Sequence, residues 1–169
     1  MLALILILIG VFLRLIPHTP NFTPVAAVAL FSGAFMKRRT AILIPLSLMV
    51  ISDLILGLHE VVLFTWGSFI IITLLGAFLK EKKTLLLITA YSIVSSLIFF
   101  LITNLGVWLA GWYPPTFNGL ITCYIMALPF LREFTVSTVL YSFIFFKVYE
   151  FLAYTVRRKN QLSVLLQEI

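Results

Sequence analysis

A chain of 169 residues has room for one domain. Hydrophobic residues make up 62% of it and charged residues only 11%, so it has too little polar surface to cover a soluble fold, and its solvent is expected to be hydrocarbon. The net charge of +6 therefore belongs first to the two sides of a membrane and not to a nucleic-acid partner, and the single cysteine, Cys123, excludes an internal disulfide and a CxxC metal site.

At roughly 20 residues per crossing, the chain accommodates about six spans. The first apolar segment, 1–16, lacks a basic leading region and a small-residue cleavage site, so it reads as a retained helix and not a signal peptide. The others are 22–36, 40–57, 62–79, 84–103 and 134–156. Three basic runs punctuate them: KRR at Lys37 to Arg39, KEKK at Lys80 to Lys83, and RRK at Arg157 to Lys159. They hold nine of the 12 Lys and Arg residues, and the positive-inside rule assigns all three to the cytoplasm. The expectation is an all-α membrane protein: one domain over 1–169, six transmembrane helices in three outward hairpins, and both termini cytoplasmic. The membrane would be the bacterial cytoplasmic membrane. Several spans are at or below the usual ~17 residues, which calls for shifted boundaries or a locally thinned bilayer.

The first junction, RLIPHTPNFTPVAA from Arg14 to Ala27, is stiffened by Pro17, Pro20 and Pro24. Asn21 and Thr23 suit helix N-caps, with Pro24 in the first turn. Turn chemistry leaves Arg14 and His18 unexplained. Arg14 stands roughly 20 Å up its helix at 1.5 Å per residue, and Asp53, 14 residues beyond Arg39, lies at a similar depth. The two can form an intramembrane ion pair, either as a lock between helices or as part of a site. The next segment, 22–36, carries Ala29 and Gly33, a small-xxx-small pair that lets another helix approach closely, from within the chain or from a partner protein.

The second outer loop carries His59 and Glu60. With His18 they raise the question of a metal, but no HxxxH or HExxH spacing is present, and no metal or other cofactor is expected. A ligand-contacting His18 is the better reading. The third loop, Asn104 to Glu133, holds GVWLAGWYPPTFNG, where the proline pair stiffens and Asn118–Gly119 reads as a turn. Trp112 and Tyr113 suit either an interfacial aromatic belt or the wall of a small-molecule pocket. The apolar stretch 119–131 is too short to span comfortably and reads as a re-entrant or interfacial segment before the last helix, with Arg132 just after it.

The stretches RLIPHTPNFTPVAAVALFSGA, ISDLILGLHE and ITNLGVWLAGWYPPTFNGLITCYIMALPF resemble a family of small bacterial integral membrane proteins described only as candidate transport proteins. The resemblance covers most of the chain. The architecture is also similar to the substrate-binding S components of energy-coupling-factor vitamin transporters. Those have six helices and bind a vitamin or metal from the outer side, through the loops in which polar residues collect here. That likeness implies a small-residue face presented to a coupling protein. It is expected on the first helix and stands here on the second, as Ala29 and Gly33.

Together these readings give a membrane transport protein, with no enzymatic activity, that captures a small solute from the outer side, as an S-component-like subunit. The expected site is Arg14, His18 and Asn21 from the first loop, Asp53, His59 and Glu60 from the second, and Asn104, Trp112, Tyr113 and Arg132 from the third. An arginine would hold a polar or anionic group and the aromatic rings an apolar body. No GxxxxGK[ST] motif occurs, so a gradient or a coupling membrane protein with its ATPase would supply energy. The expected partners are the bilayer, the solute and that coupling machinery, with no nucleic acid. The alternatives are a membrane enzyme using His18 or His59 with Asp53, and a membrane scaffold.

Overall fold

The computed structural model describes residues 2–16 and 21–167. They form six α-helices and no strand: α1 Leu2–Leu15, α2 Val25–Phe35, α3 Arg38–Leu56, α4 Val62–Gly76 with a 3-10 turn Ala77–Leu79, α5 Leu85–Leu109 and α6 Phe117–Gln167. Among the described residues, four helical stretches are long and apolar enough to cross a membrane: Arg38–Leu56, Val62–Leu79, Leu85–Leu109 and Phe117–Val156. Large apolar side chains such as Leu54, Leu63, Leu86, Leu101, Phe143 and Val148 are exposed along them. A contiguous apolar exterior of this kind suits hydrocarbon surroundings.

α2 is the centre of the bundle. Every residue from Val25 to Ala34 is buried, and α3, α4 and α6 enclose it. It is apolar on all sides, the pattern of a helix with no solvent face. At 11 residues it rises only ~16 Å, about half the hydrocarbon thickness. It begins later than the sequence suggests. Asn21 takes φ 64°, a left-handed conformation that asparagine tolerates, and Pro24 occupies the cap position with no side-chain hydrogen bond. The expected capping by Asn21 and Thr23 therefore gives way to a backbone turn, in which Thr23 N–H donates to Asn21 O at 3.1 Å.

The small face of α2 is used inside the chain. A Cβ on Gly33 would stand 2.1 Å from the Thr73 carbonyl oxygen, and one on Gly76 would stand 2.3 Å from that of Leu30. These glycines let α2 and α4 touch backbone to backbone. Ala29 is fully buried as well, so the reading of Ala29 and Gly33 as a docking face for a partner is corrected: α4 already covers it. Gly33→Ala is expected to cost about 1–3 kcal/mol or more, because backbone atoms cannot retreat as a flexible side chain can. Gly67→Ala, with open space around its Cβ, should leave the thermal unfolding midpoint in detergent unchanged apart from helix propensity.

The largest departure is α6. The stretch 119–131 is not a separate re-entrant segment but the start of one 51-residue helix that runs through Pro129. Thr116 starts it: its Oγ1 accepts from Gly119 N–H at 3.1 Å, and its carbonyl accepts from Leu120 N–H at 3.0 Å. Asn118 and Gly119 are thus first-turn residues and not a turn of their own. Gly119 is needed because a Cβ there would meet the Pro114 carbonyl at 2.1 Å. α5 is also longer than expected, reaching Leu109.

α5 and α6 pair antiparallel. Phe99 stacks on Phe134 with centroids 4.2 Å apart, Tyr124 Oη donates to Leu101 O at 2.7 Å, and Cys123 Sγ donates to Asn104 O at 3.4 Å. Partner numbers fall as the others rise, which fixes the register. α1 packs mainly on α3 and only slightly on α2.

The bundle has two unlike ends. One holds the α2–α3 and α4–α5 junctions with Lys37, Arg38, Arg39, Lys80, Lys82 and Lys83; Lys83 Nζ stands 5.0 Å above the ring of Phe35, which packs on Phe31, Phe146 and Tyr149. The other holds the α3–α4 and α5–α6 loops, bridged by a hydrogen bond from Trp112 Nε1 to Glu60 Oε2 at 2.6 Å. Within the bundle, serine and threonine hydroxyls largely satisfy themselves on carbonyls one turn back, as Ser68, Ser92, Ser96 and Thr138 do. Ser32 instead joins two helices by donating to Ala41 O at 2.9 Å.

Candidate functional site

The expected site residues divide into two places, with one lying outside the described residues. Asn21, Asn104, Trp112 and Tyr113 come together around a cavity of about 280 Å³ between α5, α6 and the turn that precedes α2. Arg14 and Asp53 come together elsewhere. His18 falls outside the described residues.

The cavity runs from the middle of the bundle toward the aromatic end. Its inner end is bounded by Asn21 and the stacked rings of Phe99 and Phe134. Ser137 Oγ, one turn further along α6, reaches toward Asn21 O at 3.4 Å. Its walls are Phe100, Thr103, Asn104 and Val107 on α5 and Cys123, Met126, Ala127, Phe130 and Leu131 on α6. Trp112 and Tyr113 stand at the outer end. Apolar and aromatic walls with a few hydrogen-bonding groups are the usual make-up of a small-molecule site, and the volume lies at the lower edge of the ~300–1,000 Å³ of such sites. Asn104 Nδ2 donates to Phe100 O at 2.7 Å, while its side-chain oxygen has no partner among the described residues.

The loop at the outer end is built to hold shape. Gly111 takes φ 85°, Trp108 Nε1 donates to Pro114 O at 3.0 Å, and Pro114–Pro115 stiffens the approach to α6. Trp112 and Tyr113 also line a second, shallower concavity of about 390 Å³ in this loop, with Trp108 and the two prolines. Glu60 is exposed and serves as the acceptor that holds Trp112. Glu60→Ala is expected to shift tryptophan fluorescence by releasing the indole, whereas Glu60→Gln, which keeps an acceptor, should shift it less. In a Trp112→Phe background the difference between the two should vanish.

Arg14 and Asp53 form the ion pair that their depths suggest, with Nη2 and Oδ1 2.7 Å apart. Trp66 Nε1 donates to the other carboxylate oxygen at 2.8 Å. Arg14 Nη1 lies 3.0 Å from Met49 Sδ and donates to Ser52 Oγ. Asp53 is buried at 1% exposure, with one oxygen on α1 and the other on α4. The arrangement ties three helices together and lies outside the cavity lining, so neither Arg14 nor Asp53 is placed where a solute in that cavity would touch it.

Two further expected site residues lie away from the cavity. Arg132 is exposed on α6 and does not line the cavity. His59 is exposed in the α3–α4 loop, while Asp53 is buried with both oxygens engaged, so His59 is not placed beside Asp53. The cavity instead uses residues the sequence reading passed over: Phe99, Phe100, Thr103, Ala127, Phe130 and Phe134. Their signal was the three- and four-residue spacing of Cys123, Ala127, Phe130 and Phe134, visible once 119–131 is taken as helix.

No curated protein and no solved structure matches the chain. Agreement with a family profile over residues 1–162, nearly the whole chain, shows that the protein belongs to the family of unknown function DUF6580.

Proposed function

We propose that this protein is a membrane-embedded solute-binding protein with a role in transport, and that the cavity between α5 and α6 holds the solute. The basic end would face the cytoplasm by the positive-inside rule, which puts the cavity in the outer half of the bilayer. What supports this reading most is one convergence: Asn21, Asn104, Trp112 and Tyr113, drawn from two separate loops and a helix, line one cavity. The solute would have an apolar or aromatic body, packed against Phe99, Phe100 and Phe134, and hydrogen-bonding groups for Asn21 and Asn104. Among the described residues no charged side chain lines the space, so an arginine clamp on an anion is not part of the proposal. Energy coupling, through a gradient or a partner ATPase, would act on this bound state.

The test is to purify the protein in mild detergent, extract it with organic solvent and identify small molecules by mass spectrometry. The expected result is one compound enriched with the wild-type protein and depleted from Thr103→Trp, in which an indole occupies the cavity. Identical extracts from the two proteins would refute the assignment.

A further inference from the structure

On α6, Ala127, Phe130 and Phe134 follow one another at spacings of three and four residues and so share one stripe. Ala127 and Phe134 are 7% and 3% exposed. Phe130, between them and part of the cavity lining, is 48% exposed, and Met126, one turn before it, is 61% exposed and also lines the cavity. A half-exposed lining residue within a buried stripe marks an opening in the wall at its own level. Around this opening Ile121, Ile125 and Leu128 are exposed and apolar, and all lie within the stretch of α6 long and apolar enough to cross a membrane. An apolar rim of this kind suits hydrocarbon better than water, although Arg132, two residues beyond Phe130, is exposed as well.

The aromatic end is different. Trp112 and Tyr113 stand across it, and a charge-assisted hydrogen bond to Glu60 holds the indole in place. Among the described residues no Asp, Glu, Lys, Arg or His lines the cavity, and none of those residues would pair an ion there. Apolar walls and amide-bearing ends leave one class of ligand that can be both admitted and held.

We infer that the cavity is filled sideways from the bilayer: its ligand is an uncharged, lipid-soluble molecule with hydrogen-bonding groups, and it passes between α5 and α6 by way of Met126 and Phe130. This inference rests on the reading of the cavity as a ligand site and adds the ligand's class and route.

Cys123 reports on the route. It is the chain's one cysteine, lines the cavity and is 2% exposed, so its reaction rate measures access. The protein in lipid vesicles is treated with benzyl methanethiosulfonate, which is uncharged and lipid-soluble, or with its trimethylammonium-ethyl counterpart, which is charged and confined to water. Each rate is divided by that reagent's rate with the detergent-unfolded chain. The expected result is a normalised rate at least about tenfold higher for the uncharged reagent, a difference set by access and not by thiol chemistry. Met126→Trp and Phe130→Trp should each slow the uncharged reagent. Val148→Trp, at an exposed position of α6 far from the lining and the opening, should not. Equal normalised rates, faster reaction with the charged reagent, protection from both, or indifference to Met126→Trp and Phe130→Trp would each overturn the lateral route. A compound that still co-purifies with the wild type and is lost from Thr103→Trp would then leave the cavity as the binding site and remove only the route.

Discussion

Arg14→Leu is expected to lower the stability of the detergent-solubilised protein by about 3–5 kcal/mol, the usual cost of stranding one member of a buried ion pair. The partner left behind is Asp53, at 1% exposure, which would keep only the Trp66 hydrogen bond. Asp53→Asn should cost less, because Arg14 is 16% exposed and its long side chain can turn its charge toward the interface. The double variant Arg14→Leu/Asp53→Asn should recover much of the loss, since no charge remains buried and the asparagine oxygen still accepts from Trp66. Unfolding midpoints followed by circular dichroism compare the three. A double variant no more stable than Arg14→Leu alone would show that the pair is not the source of the effect. The same comparison separates lock from site: the double variant should retain any bound solute.

Asn104→Leu is the second large effect, on binding and not on stability. It removes a side-chain oxygen that lacks a partner among the described residues, while the amide it also removes bonds only to Phe100 O in its own helix. The expected loss in solute affinity is about tenfold, or ~1.4 kcal/mol, the scale of one hydrogen bond withdrawn from a buried site. Titration of stripped protein with the identified compound, read by native mass spectrometry, gives the ratio. Arg132→Ala should leave affinity unchanged, since Arg132 is exposed and outside the lining. A reversed order, with Arg132 important and Asn104 neutral, would move the site.

How much of this was legible in the sequence depended on whether local pattern or packing decides. The Arg14–Asp53 pair was readable because helical rise fixes depth, and two lone charges at one depth in an apolar bundle have few other partners. Trp66, which completes the arrangement, was not, since its role depends on how α4 is rotated against α3. Asn21, Asn104, Trp112 and Tyr113, which line the cavity, are polar or interfacial groups conspicuous in apolar sequence. Phe99, Phe130 and Phe134 look like any core ring until the register of α5 on α6 is known.

The re-entrant reading of 119–131 failed for a physical reason. Pro129 and a short apolar run suggest a break. Proline removes one hydrogen bond and crowds one turn, however, and a helix held to α5 before it at Cys123 and Tyr124 and after it at Phe134 continues through it. Likewise Ala29 and Gly33 signalled close approach correctly, but a small-residue pair does not say which helix approaches, and here α4 does.

The central claim is that the space between α5 and α6 holds a small molecule. A crystal structure of the protein purified without denaturation and grown from a lipid phase tests it most directly. Non-protein density is expected, bounded by Asn21, Phe99, Asn104 and Phe134 and reaching toward the Met126–Phe130 side of α6. A collapsed space, with Phe130 folded inward against Phe100 and Thr103 and no such density, would contradict it.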